Sequence, residues 1–167
     1  MSHSATRYEF TDKKSDYASL ARELSALLAG ESDLIANAAN TVALIFDAVP
    51  KLNWVGFYFL KDGVLVVGPF QGKPACVRIA LGAGVCGAAA AQRATLVVPD
   101  VSKFAGHIAC DAASNSEIVI PLILDGTLLG VLDIDSPQLA RFDDADRHGL
   151  EALAAIFLAS QPAGRAG

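Results

Sequence analysis

The sequence predicts an α+β domain in which antiparallel strands form one central sheet, with long helices packed on one face and an active-site loop region on the other. Three observations predict this class: helical spacing of apolar residues near both ends of the chain, short apolar runs between them, and two Asp-Gly turns that join pairs of such runs. Of the 167 residues, 53% are hydrophobic, which is enough to supply one core. We divide the chain into an N-terminal extension (1–15), one domain (16–160) and a C-terminal tail (161–167).

The N-terminal half is predicted to contain two helices followed by three strands. Apolar residues recur at helical spacing in both helices, and Ser32 is a typical N-cap residue for the second, which Pro50 ends. Aromatic and β-branched residues predict the strands, and Asp62-Gly63 is typical of a hairpin turn. The predicted bounds are 16–28 and 33–49 for the helices, and 53–60, 64–70 and 76–79 for the strands.

The C-terminal half is predicted to contain a short helix, three strands and a closing helix. Small residues follow Gly82 in the short helix, and Asp125-Gly126 is typical of a second hairpin turn. A polar loop over 100–116 precedes that hairpin. The predicted bounds are 85–92 and 143–159 for the helices, and 95–98, 118–124 and 127–135 for the strands.

Charge and hydropathy argue against two classes of partner. The net charge is −5, and no basic run is longer than Lys13-Lys14, so we expect no nucleic-acid binding. No apolar stretch reaches the roughly 18 residues that span a bilayer, so we expect no membrane partner. Residues 1–7 lack the apolar segment of a signal peptide, which predicts a cytoplasmic protein.

Three cysteines are the first candidates for chemistry. Cys110 lies in the polar loop between His107 and acidic residues, and Cys76 and Cys86 precede it. Disulfides of cytosolic proteins are usually transient and either catalytic or redox-sensing, which favours thiol–disulfide chemistry. The alternative is that the thiols are small buried hydrophobic groups, the commonest role of a free cysteine.

Two aromatic side chains are expected on one face of the first strand. Trp54, Gly56 and Tyr58 alternate along it, and strand side chains alternate between faces. With glycine between them, the two rings can form the walls of a small-molecule site. Ordinary packing of aromatic residues on the sheet is the alternative.

Two acidic side chains are expected on one face of the last strand. Asp133 and Asp135 follow an apolar run, where carboxylates are costly unless they are solvated or paired. Glu117, at the start of the neighbouring strand, could join them. Closely spaced acids raise one pKa and so provide a proton donor near neutral pH. Two alternatives remain open: the acids bind an ammonium group, or they face water at an exposed edge.

The glycine-rich segment 82–87 is a candidate anion site. Gly84 and Val85 begin a predicted helix, and free N–H groups at a helix start suit a substrate carboxylate. Cys86 in the same turn is expected to have a lowered pKa. The alternative for Cys86 is a small residue that packs beneath the loop.

The spacing of the possible ligands argues against a zinc site. His107, Cys110, Cys76 and Cys86 offer four possible ligands. Structural zinc sites bring their ligands in close pairs, and the chain contains no Cys-x-x-Cys. We therefore predict no metal site.

Six segments together resemble one known family, the free methionine-(R)-sulfoxide reductases, which are single GAF domains. The resemblance extends from about residue 17 to residue 157 and includes three cysteines and three acids at matching positions. It implies that 16–160 is a GAF domain. The segments that carry the resemblance are 53–58, 84–87, 98–101, 107–111, 116–119 and 132–136.

The resemblance assigns a role to each thiol. It implies that Cys110 is the catalytic thiol, that Cys76 forms the resolving disulfide with it, and that Cys86 is an auxiliary or alternative partner. Cys110 would become a sulfenic acid and then a disulfide, which an external dithiol of the thioredoxin type reduces. No cofactor is implied.

The resemblance also assigns the substrate site. It implies that Glu117, Asp133 and Asp135 hold free methionine sulfoxide and assist proton transfer, and that Trp54 and Tyr58 form an aromatic pocket. Ionised acids would raise the pKa of the attacking thiol, so we expect at least one of them to be protonated.

The resemblance also bears on assembly, and two other functions compete with the reductase. The family implies a homodimer. A non-catalytic GAF sensor of a small ligand would need none of the cysteines, and a redox switch without a substrate would need neither the acids nor the aromatic pocket. Both alternatives stay open at this point.

Overall fold

The structure is a computed structural model that describes residues 8–108 and 112–163. Within these residues, six strands form one sheet in which every neighbouring pair is antiparallel, as predicted. In chain order the strands are β1 (Trp54–Lys61), β2 (Val64–Gly72), β3 (Arg78–Ala80), β4 (Leu96–Val98), β5 (Ser116–Leu124) and β6 (Thr127–Ser136). Their order across the sheet is β3-β2-β1-β6-β5-β4, so β1 and β6 lie at its centre.

Four α-helices are found in the described part of the chain, and side chains cap three of them. A short 3-10 helix (Val101–Lys103) follows β4. Asp12 caps the first helix, which begins at Lys13 and so inside the predicted N-terminal extension. Asp33 caps the second by accepting a hydrogen bond from the N–H of Ala36; the predicted cap, Ser32, is wrong by one position. The helices are α1 (Lys13–Leu28), α2 (Leu34–Ala48), α3 (Gly84–Gln92) and α4 (Asp144–Ala159).

No helix in residues 8–108 or 112–163 is both long and apolar enough to cross a membrane.

Two strand boundaries differ from the prediction in ways that affect the site. β3 begins at Arg78, so Cys76 lies in the connection before it and not in the strand. β5 begins at Ser116, which places Glu117 within a strand and not at its mouth. Val77 is a strong strand former that lies outside β3, and Ser116 and Glu117 are weak ones that lie inside β5, so pairing with a neighbouring strand and not propensity decides where each begins.

Alternation along β1 divides the molecule into two packed layers. Val55, Phe57 and Phe59 face α1, α2 and α4 and belong to the larger hydrophobic core. Trp54 and Tyr58 face the opposite way, into a smaller cluster that includes residues of α3. The sheet therefore separates a core that supplies stability from a face on which polar groups gather.

A buried acid joins the first helix to the last. The Asp146 side chain is fully buried near the start of α4 and accepts hydrogen bonds from Tyr17 Oη at 2.9 Å and Lys13 Nζ at 2.6 Å. Arg141 Nη1 lies 3.0 Å from its other side as an ion-pair partner. Asp146 also completes a capping box with Asp143. Paired in this way, the buried charge holds α1 against α4.

Gly130 permits the close approach of the two central strands. It lies opposite Phe59 in the pairing of β6 with β1, and its φ is +153°. A Cβ atom at this position would collide with the carbonyl oxygen of Tyr58. Only glycine fits here, because it has no Cβ and tolerates this φ.

We expect Gly130→Ala to lower the free energy of unfolding by at least about 2 kcal/mol, because backbone strain and the collision with Tyr58 add together. Urea unfolding followed by circular dichroism measures the loss. Gly126→Ala is the matched control: its φ is +78° but no atom lies within 4 Å of the added Cβ. Strain alone is expected to cost the control about 1 kcal/mol. Equal losses in the two variants would contradict the role given to Gly130.

Candidate active site

A cavity of about 40 Å³ opens on the sheet face that is turned away from the three long helices. Side chains from four strands (β1, β3, β5 and β6), from the segment before β3, from the start of α3 and from the loop before β5 line it. The residues that matter for its chemistry are Trp54, Tyr58, Gly84, Val85, Cys86, His107, Glu117, Asp133 and Asp135.

The register of the central strands brings three acids together. Asp135 on β6 lies directly opposite Glu117 on β5, and Asp133 lies opposite Gly56 on β1. Cross-strand partners and alternate residues of one strand point to the same face. The carboxyl groups of Glu117, Asp133 and Asp135, called the carboxyl cluster below, therefore meet in the cavity.

Two acids of the cluster are buried, and none of the three lies at an exposed edge. Glu117 and Asp133 are each only 6% exposed, Asp135 is half-buried, and β6 is a central strand. The alternative in which Asp133 and Asp135 face water at an exposed edge is therefore wrong. Like charges directly opposite each other destabilise a sheet, so this arrangement needs a proton or a positive ligand.

Burial raises the pKa values of two acids in the cluster. It raises the pKa of Glu117 well above its ordinary value, and the negative charges of Asp133 and Asp135 add to that shift. Burial also raises the pKa of Asp133 to about 6, although interactions with Glu117 and Cys86 oppose the rise. These shifts favour the protonated form of Glu117.

Cys86 is the thiol next to the carboxyl cluster. Its side chain is buried in the first turn of α3 and donates a hydrogen bond to Glu117 Oε1 over 3.9 Å. Burial raises the pKa of this thiol well above its ordinary value, and the charges of Asp133 and Glu117 add to the effect. The expectation of a lowered pKa is wrong, because a helix start contributes at most about 1–2 kcal/mol and burial outweighs it.

Trp54 and Tyr58 form one wall of the cavity, on the face predicted for them. Their rings stack with centroids 5.8 Å apart, and Phe70 stacks on the other side of Trp54 at 5.3 Å. A Cβ on Gly56 would overlap the indole ring. The glycine between the two aromatic residues thus lets the Trp54 ring lie flat along the strand.

The polar atoms of both rings bind the segment before β3. Trp54 Nε1 donates a hydrogen bond to the carbonyl oxygen of Lys73 at 3.0 Å, and Tyr58 Oη donates to that of Cys76 at 3.2 Å. Cys76 itself is disulfide-bonded, whereas Cys86 is a free thiol. Cys110, the predicted catalytic thiol, lies outside the described residues.

The start of α3 closes another side of the cavity. Gly84 has a φ of +58°, and a Cβ there would approach Ile108 Cγ1 to 3.2 Å. The N-cap residue, Ala83, makes no side-chain capping hydrogen bond, so no side chain at that position competes for the first N–H groups of the helix. Gly84 and Val85 therefore present backbone donors next to the cavity.

His107 contacts the carboxyl cluster, which the sequence analysis missed. Its Nε2 lies 3.9 Å from Glu117 Oε2, and its side chain keeps 17% of its surface exposed. Burial lowers the pKa of this imidazole. The available signal was the position of His107 in the polar loop that leads into β5, the strand that carries Glu117.

The possible metal ligands are not the set suggested by spacing. Cys76 is occupied by a disulfide, and Cys86 Sγ donates a hydrogen bond to the carboxyl group of Glu117. Donor atoms of Cys86, Glu117 and Asp133 lie within 4.8 Å of one another.

Comparison with known proteins identifies similar chains. The GAF domain family model matches residues 20–158. The chain is 54% identical over 144 residues to the free methionine-R-sulfoxide reductase of Escherichia coli, which covers 86% of this chain and 87% of that enzyme. It is 46% identical over 136 residues to the Saccharomyces cerevisiae protein of the same name, covering 77% of this chain and 76% of the yeast protein.

A solved structure is similar in fold and sequence. The free methionine-R-sulfoxide reductase of Neisseria meningitidis, in complex with its substrate, matches with a TM-score of 0.90 and 43% identity. The match covers 95% of each chain.

Asp133→Asn is expected to flatten the dependence of stability on pH. Burial raises the folded-state pKa of Asp133 above that of the unfolded chain, so stability falls as the pH rises from about 4 through about 6. The variant cannot ionise there, and its unfolding free energy should fall less, by about 1–3 kcal/mol at about 1.4 kcal/mol per pKa unit. Urea unfolding at about pH 4 and about pH 8 measures this, with exposed Asp125→Asn as the control. A steeper fall in Asp133→Asn than in the parent protein would contradict the shift.

Proposed function

The chain belongs to the free methionine-R-sulfoxide reductases, which are GAF domain proteins, and from this premise we propose that it reduces free methionine-(R)-sulfoxide to methionine through the thiol of Cys110. One observation carries the proposal to this chain's own residues. A cavity with an aromatic wall contains buried, partly protonated acids, and Cys76, which forms a disulfide, is bonded to that wall through its carbonyl oxygen.

Cys110 acts as the nucleophile in this proposal. Its thiolate attacks the sulfoxide sulfur and forms an S–S bond, and two protons, one of them from a cavity acid, turn the sulfoxide oxygen into water as the S–O bond breaks. Water then attacks the Cys110 sulfur and the S–S bond breaks, so Cys110 becomes a sulfenic acid and methionine leaves with a sulfur that has gained two electrons. The loop of Cys110 adjoins Ile108 and Ser114, two residues that line the cavity.

Cys76 is the resolving thiol. It attacks the sulfenic sulfur of Cys110, water leaves, and a disulfide remains. Cys76 is disulfide-bonded and Cys86 is free, which supports Cys76 over Cys86 in this step. The raised pKa of Cys86 also argues against it as the main resolving thiol, because the thiolate is the attacking form.

Glu117 is the preferred proton donor. Its raised pKa favours the protonated form that a proton donor needs, and its carboxyl group is buried in the cavity. A buried acid that has given up its proton must regain one, and His107 Nε2, 3.9 Å away and partly exposed, offers a connection to solvent. Asp133, with a pKa of about 6, ionises first and supplies the negative charge of the site.

Recognition of a free amino acid requires that both of its backbone charges are bound. Asp133 and Asp135 suit the α-ammonium group, and the N–H groups of Gly84 and Val85 suit the α-carboxylate. The Trp54 and Tyr58 rings suit the sulfur-bearing side chain, because sulfur packs favourably against aromatic rings. A residue within a peptide has neither charge and is expected to be excluded.

The remaining features of the proposal concern partners. A dithiol of the thioredoxin type reduces the disulfide, and the chemistry needs no cofactor, because thiols supply both electrons. We propose a homodimer in the cytoplasm, a reducing compartment in which a transient disulfide is regenerated.

The activity test uses racemic free methionine sulfoxide with dithiothreitol, followed by chiral amino-acid analysis. Loss of the R epimer alone is expected. Cys110→Ser should lower kcat/KM by at least about 1,000-fold, because the nucleophile is gone. Cys76→Ser should release one methionine per chain and then stall when thioredoxin is the only reductant. No loss of either epimer would favour the ligand-sensor or redox-switch alternative.

The proton-donor role predicts a pH profile. An acid acts in its protonated form, so the rate of methionine release in a single turnover should fall as the pH rises through the raised pKa of Glu117. Glu117→Gln should lower that rate about 100-fold or more and remove the decline. The exposed acid Asp62 serves as the control, and Asp62→Asn should keep the parent profile. A parent rate that keeps rising to high pH would exclude the acid role.

A further inference from the structure

One thiol and two carboxyl groups converge on a single point of the cavity. Cys86 comes from α3, Glu117 from β5 and Asp133 from β6, and all three side chains are buried. One donor atom from each lies within 4.8 Å of the other two. Because the three residues are far apart in the sequence, no spacing motif indicates this grouping.

A second observation points to a ligand at the same place. Asp133 Oδ1 is buried and has no hydrogen-bond partner among the described residues. Asp133 is 6% exposed and lines the cavity. An unpartnered buried carboxylate oxygen is costly, and such atoms in folded proteins usually indicate an ion, a water molecule or a ligand.

We propose that the cavity binds one thiol-preferring divalent metal ion, best matched by Zn²⁺, through Cys86 Sγ and one carboxylate oxygen each of Glu117 and Asp133, and that this ion excludes free methionine sulfoxide. The exclusion rests on the proposed function, in which the same acids bind the substrate. The metal is thus an inhibitor of the reductase and not its cofactor.

The donor set selects the class of metal. Zn²⁺ accepts thiolate, imidazole and carboxylate ligands in tetrahedral sites, whereas Mg²⁺ and Ca²⁺ take oxygen ligands. Zn–S bonds of about 2.3 Å and Zn–O bonds of about 2.0–2.2 Å place donor atoms roughly 3.5 Å apart in a tetrahedral site. The donors, which lie within 4.8 Å of one another, must therefore close by up to about 1 Å, which side-chain rotation allows. A water molecule or His107, whose Nε2 is 3.9 Å from Glu117 Oε2, can take the fourth position.

Charge balance supports the same assignment. If all three ligands were deprotonated, one thiolate and two carboxylates would place three negative charges in a buried space, with Asp135 nearby. A divalent cation removes most of that repulsion, and the carboxylates lose their protons on binding. The substrate ammonium would bind the same acids, so the two ligands compete. The ammonium carries only one positive charge and neutralises less of the repulsion than the metal ion does.

Cobalt binding tests the site directly. Co²⁺ reports a thiolate ligand through a sulfur-to-metal charge-transfer band in the near ultraviolet. The protein is used in the form in which Cys76 is disulfide-bonded, with thiol titration confirming one free thiol per chain. We expect the band to saturate at one Co²⁺ per chain, to disappear on addition of Zn²⁺, and to disappear on addition of methionine-(R)-sulfoxide. Absence of the band overturns the metal site, and a band that the sulfoxide does not displace overturns the exclusion.

Variants locate the ligands. Cys86→Ser should abolish the band, and Glu117→Gln should weaken Zn²⁺ binding by at least about tenfold in competition with a chromophoric chelator. His148→Gln, an exposed histidine on α4, is the control and should bind Zn²⁺ as the parent does. Unchanged binding in Glu117→Gln overturns the assigned ligands. If Cys86→Ser does not fold, the band of the parent protein and its displacement still decide the matter.

The two proposals fail separately. Reduction of methionine sulfoxide in the presence of a chelator, without any cobalt band, overturns only the metal site. A cobalt band in a protein that reduces neither epimer overturns only the proposed function and, with it, the competition.

Discussion

The functional face of this protein depends on one electrostatic constraint: Glu117, Asp133 and Cys86 occupy a space too dry for all three to be charged. A single such group would cost several kcal/mol if it were ionised and unpartnered. The raised pKa values of all three side chains follow from that cost. The helices on the other face of the sheet bury a continuous apolar core, which supplies the stability that the acidic face forfeits.

The three cysteines differ because their surroundings differ. Cys86 is buried beside acids, and burial together with the charges of those acids raises the pKa of its thiol. Cys76 lies in the connection before β3, where it is disulfide-bonded and its carbonyl oxygen accepts a hydrogen bond from Tyr58. A cysteine that forms a disulfide suits thiol exchange, whereas an enclosed thiol suits hydrogen bonding or metal ligation. Position in the fold thus separates roles that composition treats as equal.

Local patterns predicted what local forces decide. Asp62-Gly63 and Asp125-Gly126 predicted both hairpins, and alternation predicted that Trp54 shares a face with Tyr58 and Asp133 with Asp135. Register across the sheet could not be predicted, because it depends on which distant strands pair; the placement of Glu117 opposite Asp135 and the contact of His107 with Glu117 both follow from it. The prediction of a lowered pKa for Cys86 was wrong for the same reason, since the acidic neighbours of this thiol come from other elements.

The contacts of Asp146 with Lys13, Tyr17 and Arg141, which together form a clasp between the first and last helices, limit where the chain can be shortened or extended. Lys13 and Tyr17 near one end neutralise and hydrogen-bond a carboxylate that belongs to the last helix, about 130 residues away. A shortened chain that lacks the first helix would leave this acid with Arg141 as its remaining cationic neighbour and would uncover the apolar side of α4. The two ends therefore melt together, and fusion partners or tags are best attached before Tyr8 and beyond the end of α4, so that neither half of the clasp is removed.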